Sequence, residues 1–294
     1  SNGAMAAGVG YAGLGANIYT FSGAAVNSTD VDLNLVYYAD IPTPLETDLG
    51  VAWNLVGNPY PAAINAFDLV NNNTDILGAV YLWDDDGSSG NDYATNDFVT
   101  WNPIVSNPGY IGSCQGFMIK TINSSPTLHF DLDYRENGNN STFYRPNADI
   151  AKLFLSLEGN DLVNQIVIGV LDDATEDEDR LFDAPKFSAN ANIAFSAIAN
   201  DIKHAIMGIP PSNSERTIPL SVSVGIAGDY MFHAHTIENF DGMDAYFIDT
   251  ENGTNVLLAQ GSQVQVTLQE GEYEDRFFIN LVPTSFTGIA EENA

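Results

Sequence analysis

The sequence has few basic residues. Its 294 residues include 9 lysines and arginines against 39 aspartates and glutamates, and the formal net charge at pH 7 is −30. A surface of this charge repels nucleic acid and anionic lipid, so neither is an expected partner. The same charge keeps a protein soluble and suits an extracellular medium that is rich in salt and divalent cations. We therefore expect an acidic protein that is secreted or held at the outer cell surface.

Cysteine is nearly absent as well. Cys114 is the only one, so an intrachain disulfide is excluded. Its segment, 110–119, is apolar and aromatic enough to predict a strand. In such a strand the thiol of Cys114 is expected to be buried and structural, and a reactive nucleophile is the less favoured interpretation.

Long hydrophobic runs and catalytic signatures are also missing. No run of about 18 apolar residues occurs, which excludes a membrane-spanning helix. Ser1–Ala4 lacks the basic and hydrophobic regions of a signal peptide. The sequence has no Gly-x-Ser-x-Gly elbow, no His-Glu-x-x-His motif and no Cys–His signature. These absences favour a protein that is not an enzyme.

The chain does contain many short apolar or alternating runs, rich in Val, Ile, Phe and Tyr and bounded by Gly, Asn, Asp or Pro. This pattern predicts an all-β protein made of two tandem β-sandwich or jelly-roll-like domains. A polar seam near 132–150 separates an N-terminal domain, 1–147, from a C-terminal domain, 148–285, and residues 286–294 are predicted to be a linker. One short helix is expected within 62–70. The expected strands are 17–21, 31–37, 51–56, 79–83, 97–101, 116–121, 127–131, 151–158, 163–171, 191–199, 203–209, 216–224, 229–235, 244–249, 255–259, 263–268 and 274–282.

An acidic loop that contains glycine, Asp84–Asp97, follows the predicted strand 79–83. Ca²⁺ takes about six to eight oxygen ligands from a flexible segment of this kind. The first three ligand spacings of an EF-hand-like loop are matched, although Thr95 stands where the bidentate Glu would be. Calcium is therefore the candidate cofactor, and a solvated connection that carries charge for solubility is the alternative. The candidate metal ligands are Asp84, Asp86, Ser88, Asp92 and Asp97.

Aromatic residues lie in and beside this loop. Trp83 and Trp101 flank it, and Tyr93 lies within it. Together they are the candidate ligand-binding residues, since aromatic rings on a β-sandwich provide a platform on which a sugar can stack. An extracellular polysaccharide or protein is the candidate partner. Packing of the tryptophans in the core is the alternative, and the apolar neighbours of Trp83 favour it.

His233 and His235 lie two apart on a predicted strand, so their side chains point to the same face of a sheet. Two imidazoles in this arrangement can share Zn²⁺ if a third ligand approaches, but no sequence neighbour supplies one. Ordinary half-buried histidines are the favoured interpretation.

Two arginines lie beside acidic residues. A second acidic run, 172–180, is interpreted as an exposed connection in which Arg180 pairs locally, with a cation site as the alternative. Arg276 follows Glu274 and Asp275, and it is expected at a strand end, where it holds nearby carboxylates.

The most informative segment is a strand that ends in a Gly-Asn-Pro-Tyr-Pro turn, Trp53–Pro61, because proline prevents the strand from continuing. It is followed by Val80–Trp83 and later by 109–117. These segments resemble the β-rich region that precedes the C-terminal sorting domain in type IX secretion cargo proteins of Bacteroidetes. Further segments that carry the resemblance are Gly8–Ala12, Phe21–Gly23, Asp179–Lys186, Tyr246–Asp249, Gly271–Tyr273 and Asp275–Ile279.

The resemblance covers nearly the whole chain. It implies export across the outer membrane, followed by attachment to the cell surface or release, and it implies that 286–294 lead into the sorting domain. The expected function is that of a non-catalytic structural or adhesin-like module, a monomeric part of a larger protein. The alternative is a carbohydrate-binding accessory region of a secreted polysaccharide-degrading enzyme. No catalytic residue is implied.

Overall fold

A computed structural model describes residues 4–11, 24–37, 52–84, 97–105, 109–138, 150–187 and 191–284. The expected strand at 17–21, the interior of the acidic loop and the expected linker at 286–294 lie outside these residues. Every other predicted strand is present, with ends that differ from the prediction by at most three residues. The all-β class is thus confirmed.

The elements before residue 140 are β1 (Val31–Asn34), β2 (Trp53–Gly57), β3 (Ala63–Asn65), α1 (Ala66–Asn72), β4 (Val80–Asp84), β5 (Asp97–Trp101), β6 (Tyr110–Ile111), β7 (Gly116–Lys120), β8 (Thr127–Phe130), a 3-10 helix (Leu132–Tyr134) and β9 (Arg135–Glu136). Those after residue 150 are β10 (Ala151–Gly159), β11 (Leu162–Val170), β12 (Ala184–Pro185), β13 (Ile193–Ala199), β14 (Ile202–Ile209), β15 (Arg216–Val224), β16 (Gly228–Glu238), β17 (Met243–Asp249), β18 (Thr254–Leu257), β19 (Gln263–Leu268) and β20 (Gly271–Pro283).

The chain divides into two compact units, and each is described by itself. Unit 1 comprises Ser1–Ala148 together with Glu178–Ala191 and Ala205–Met207, and the remaining residues form unit 2. The predicted boundary at 147/148 stays a prediction, because two later segments belong to unit 1.

Unit 1 is organised around an antiparallel sheet with the order β2-β7-β4-β5. Alternate residues of these strands point to one face, and there Val56, Phe117, Ile119 and Leu82 are buried with Leu69 of α1. Two smaller sheets, β1-β8 and β6-β3-β9, accompany it. This cluster lies on one side of the four-stranded sheet, and Tyr81, which is fully buried, packs against Trp53 and Phe187 on the other side.

The Gly-Asn-Pro-Tyr-Pro turn after β2 is held by the side chain of Asn58, which is buried. The two N–H groups of its amide are shared among the carbonyls of Ala62, Ile111 and Gly112 at 2.8–3.1 Å, and its Oδ1 accepts from the backbone N–H of Tyr60 at 2.9 Å. Buried carbonyls without partners cost about 1–3 kcal/mol each. One side chain thus links the turn after β2 to the end of β6 and pairs buried backbone groups of both segments.

Helix α1 is capped at both ends by residues from elsewhere in the fold or just outside the helix. At its start, Asn65 Oδ1 accepts from the N–H of Phe67 at 2.9 Å, which explains why the helix begins later than predicted. Near its end, the Arg180 guanidinium donates to the carbonyls of Val70 and Ile76 at 2.9 and 3.2 Å. The expectation that Arg180 pairs within its acidic run was wrong, because these unpaired carbonyls accept its hydrogen bonds.

Unit 2 contains one continuous sheet with the strand order β18-β17-β20-β15-β13-β14-β11-β10-β16-β19, to which β14 contributes its residues outside Ala205–Met207. Two of its hairpins turn on Asn-Asp pairs, Asn160-Asp161 and Asn200-Asp201, whose φ angles lie between +50° and +62°. Asn and Asp tolerate this left-handed geometry, and two such residues form the two-residue turn that matches the twist of a hairpin.

The sheet of unit 2 curls so that distant strands face each other. The ring of Phe232 on β16 lies 4.5 Å from that of Phe247 on β17, although these strands are seven positions apart in the sheet. Phe232 also contacts Phe277 and Phe195, with ring centroids 4.9 and 5.6 Å apart. These aromatic contacts form the centre of the unit 2 core.

Arg276 lies within β20, so its expected position at a strand end was wrong. The expectation that it holds carboxylates was correct. It donates two hydrogen bonds, at 2.9 and 2.8 Å, to Asp249 at the end of β17, and it lies 2.6 Å from Glu251. Burial opposes ionisation of Asp249, which is 1% exposed. The hydrogen bonds and positive charge of Arg276 outweigh this effect and hold the pKa of Asp249 below its ordinary value.

Cys114 was expected to be buried in a strand, and this was wrong. It is exposed and lies in the turn between β6 and β7, with a φ of +61°. The backbone N–H of Gln115 donates to the carbonyl of Gly112 at 3.2 Å and closes this turn. The apolar residues on each side belong to two separate strands, and the thiol lies between them.

We expect Phe232→Ala to lower the free energy of unfolding by about 3–5 kcal/mol, because the cavity it leaves is enclosed by three other aromatic rings. Urea denaturation would measure the change. Leu257→Ala, which removes an exposed side chain from the same unit, is the matched control and should change stability by less than about 0.5 kcal/mol. Equal effects of the two substitutions would contradict this description of the core.

We expect Asp249→Asn to destabilise the protein most near neutral pH, by about 3–5 kcal/mol, since it leaves Arg276 partly unpaired. The pKa of Asp249 is lowered by folding, so its contribution is present above the unfolded value of about 3.9 and is lost as pH falls through the folded value. The difference between the two proteins should therefore shrink on acidification. Urea titrations at several pH values test this, with the exposed turn substitution Asp201→Asn as control.

Candidate functional site

The acidic loop joins β4 to β5, which form an antiparallel hairpin. Its register places Asp84 directly opposite Asp97, as Cα partners at the two ends of the loop. Asp86, Ser88, Asp92 and Tyr93 lie outside the described residues, so this site of expected metal ligands stays a prediction.

The tryptophans that flank the loop occupy different environments. Trp101 is 1% exposed and belongs to the core of unit 1, where Gly109 packs directly against its indole ring. Trp83 is 39% exposed. Core packing, the alternative weighed from the sequence, therefore describes Trp101. For Trp83, whose apolar neighbours favoured the same outcome, it was wrong, because this side chain presents surface to solvent.

Trp83 shares its face of the sheet with other apolar residues. Leu55 on β2 is 38% exposed, and Met118 on β7 is the Cα partner of both Leu55 and Tyr81. Because residues two apart on a strand share a face, Trp83 lies on the same side as Tyr81 and Leu55. This side is opposite to the cluster around α1; on it Tyr81 is covered by Trp53 and Phe187, whereas Trp83 and Leu55 are exposed.

A different cluster forms on the sheet of unit 2, where β10 pairs with β16. The buried residues of these strands include Leu155, Leu157 and Phe232, so the alternating positions point to the opposite face. Glu158 of β10 and the two histidines of β16 occupy those positions. Oε1 of Glu158 lies 3.1 Å from Nδ1 of His233 and 3.0 Å from Nε2 of His235.

A β-bulge brings the histidines together. Leu155 is the partner of Ala234 and Phe154 is the partner of Thr236, so His235 is an extra residue in the ladder. A bulge of this kind re-aims the side chain next to it. The imidazole centroids of His233 and His235 are 3.9 Å apart, with the rings tilted by 42°.

The hydroxyl of Ser156 on β10 forms hydrogen bonds with two members of the cluster, Glu158 and His235. It is buried, donates to Oε1 of Glu158 at 2.7 Å and lies 2.8 Å from Nε2 of His235. Partial burial raises the pKa of Glu158, but hydrogen bonds from Ser156 and His233 and attraction from both imidazoles outweigh it and lower the pKa. The carboxylate therefore stays ionised and is fixed in position.

The sequence indicated that the histidines share a face, and the structure confirms this. It also supplies a third group, Glu158, which sequence analysis missed. Glu158 lies 75 residues before His233, and only the pairing of β10 with β16 brings them together. The sequence does contain one indication of the position of Glu158. The alternation of Leu153, Leu155 and Leu157 assigns Glu158 to the polar face of β10, but it does not reveal which strand pairs with β10.

Among the described residues, this is the one group of three or more His, Cys, Asp or Glu side chains whose ligand atoms converge. The described part of the second acidic run does not form such a group, and Glu176 instead pairs with Arg216. His129 pairs with Asp32 at 2.6 Å, and this hydrogen bond raises the pKa of His129. Exposed pairs of this kind contribute little to stability.

The fold and these sites define an all-β protein with a strongly acidic composition and a histidine–carboxylate cluster on a sheet face. The chain belongs to the family described as Domain of unknown function (DUF8693), which matches residues 6–281. Comparison with curated proteins and with solved structures gave no match. None of the helices in the described ranges has the length and hydropathy that crossing a lipid bilayer requires.

Proposed function

We propose that this chain is a non-catalytic module of a secreted or cell-surface protein, with a structural or adhesive role. The continuous sheet of unit 2 is the observation that carries the proposal. Its longest strands, β16 and β20, have 11 and 13 residues and are hydrogen-bonded to neighbours on both sides. A sheet that curls around a dense aromatic core provides a stiff support for other domains, and we propose that both units are jelly-roll-like sandwiches.

We further propose that the module is exported by type IX secretion and lies before a sorting domain in a larger, monomeric protein. The resemblance of Trp53–Pro61 and the later segments supports this, and so does the net charge of −30. An acidic surface favours solubility and resists self-association. An antibody raised against this chain should label intact cells or the culture fluid of the bacterium that makes it. Labelling only after cell lysis would contradict export.

A second candidate function is carbohydrate binding, as an accessory region of a secreted polysaccharide-degrading enzyme. The exposure of Trp83 beside the acidic loop, with Leu55 on the same face, favours it. A sugar ring would stack on the indole, and the adjacent apolar surface would contact its C–H groups. Trp101 cannot stack against a sugar in the same way, because its ring is enclosed in the core of unit 1.

A glycan array, probed with and without Ca²⁺, separates these two functions. The structural role predicts no specific sugar signal. Carbohydrate binding predicts a specific signal whose affinity falls at least about tenfold in Trp83→Ala, a loss of about 1.4 kcal/mol. Leu257→Ala removes an apolar side chain of similar exposure from unit 2 and should leave the signal unchanged.

We propose calcium as the cofactor of the acidic loop, with Asp84, Asp86, Ser88, Asp92 and Asp97 as ligands. The opposed positions of Asp84 and Asp97 support it. Isothermal titration with CaCl₂ should show binding by the wild type and none by Asp86→Ala, while Asp201→Asn, which removes one carboxylate from an exposed turn, should bind like the wild type. If neither the wild type nor Asp86→Ala gives heat, the loop is a solvated connection.

A further inference from the structure

We propose that Glu158, His233 and His235 bind a divalent transition metal, with Zn²⁺ as the ion that fits best. The three ligand atoms all lie within 4.8 Å of one another. This site is separate from the acidic loop and differs from it in chemistry. It does not depend on the structural or carbohydrate-binding function proposed above.

The distances match a zinc centre. Zn²⁺ in proteins is usually tetrahedral, with bonds of about 2.0–2.1 Å to nitrogen and oxygen, so its ligand atoms are separated by about 3.3 Å. Oε1 of Glu158 already lies 3.1 Å from Nδ1 of His233 and 3.0 Å from Nε2 of His235. Two edges of the tetrahedron are therefore nearly formed, and small side-chain rotations would admit the ion.

The donor set selects the kind of metal. Two imidazoles and one carboxylate suit Zn²⁺ and other divalent transition metals, whereas Ca²⁺ and Mg²⁺ prefer oxygen ligands alone. Three protein ligands leave the fourth position of a tetrahedral site open to water. His235 is 40% exposed, so an ion can reach the cluster from solvent.

The supporting residues hold these donors in place. The ligands project from two paired strands, and the bulge at His235 sets the second imidazole close to the first. Ser156 donates to the carboxylate that would bind the metal, as second partners of metal ligands commonly do. The cross-strand neighbours are uncharged: Gln165 lies opposite Ser156, and Gln263 lies opposite His233.

The overall charge also favours a cation. With a formal charge of −30, the protein concentrates divalent ions near its surface. That attraction alone would produce weak binding at many carboxylates, so a test must separate one defined site from a diffuse atmosphere. The histidines make this separation possible, because a diffuse atmosphere does not depend on them.

The test is isothermal titration of the whole chain, without a polyhistidine tag, with ZnCl₂. We expect one ion per chain, and we expect His233→Ala and His235→Ala each to weaken binding by at least about tenfold. His129→Ala is the matched control, because His129 is similarly exposed and also contacts a carboxylate; it should bind like the wild type. Glu158→Gln keeps the size of the side chain and should weaken binding as well.

Two further readouts keep the result independent of folding defects. Zinc should raise the Tm of the wild type and of His129→Ala, and not that of His235→Ala. Co²⁺ added to the wild type should give the visible absorption of a tetrahedral site, and His235→Ala should lose it. Absence of binding by the wild type, weak binding at many sites, or equal binding by the histidine variants would overturn the proposal.

Discussion

Packing of Phe232 against rings from distant strands is the interaction on which the rest of unit 2 depends. Phe232 meets Phe195, Phe247 and Phe277, and these contacts hold the curled sheet over its own inner face. Phe232 and Ala234 of β16 point into that interior, so His233 and His235, which alternate with them along the strand, point outward. The positions of His233 and His235 are thus a consequence of core packing, and a shift of the register by one residue would bury both imidazoles.

The structure of unit 1 depends on a different constraint, which is that its buried polar backbone groups must find hydrogen-bond partners. Its turns and its helix end leave carbonyls without strand or helix partners, and unpaired groups of this kind are costly. Asn58 pairs with one carbonyl after β2 and two at the end of β6, and Arg180 pairs with carbonyls at and beyond the end of α1. In both segments, therefore, a polar side chain closes the structure by pairing with backbone carbonyls.

Much of the fold followed from local patterns. The strands were predictable because alternation and turn residues are encoded in neighbouring positions, as in the Asn160-Asp161 hairpin. The errors occurred where distant residues decide. Cys114 is exposed because its apolar segment is divided by a turn, and Arg180 turns toward carbonyls that only the folded helix presents. For the site, the shared face of two histidines was predictable and its carboxylate was not.

The sequence by itself determined the acidic charge, the all-β class, the positions of most strands and the fact that His233 and His235 share a face, since each of these depends on composition or on spacing along the chain. The tertiary structure decided which strands pair. It thereby placed Glu158 beside the two imidazoles, enclosed Trp101 and left Trp83 at the surface. The physical reason is that a strand specifies two faces locally, whereas its neighbour in the sheet is selected by burial across the whole unit.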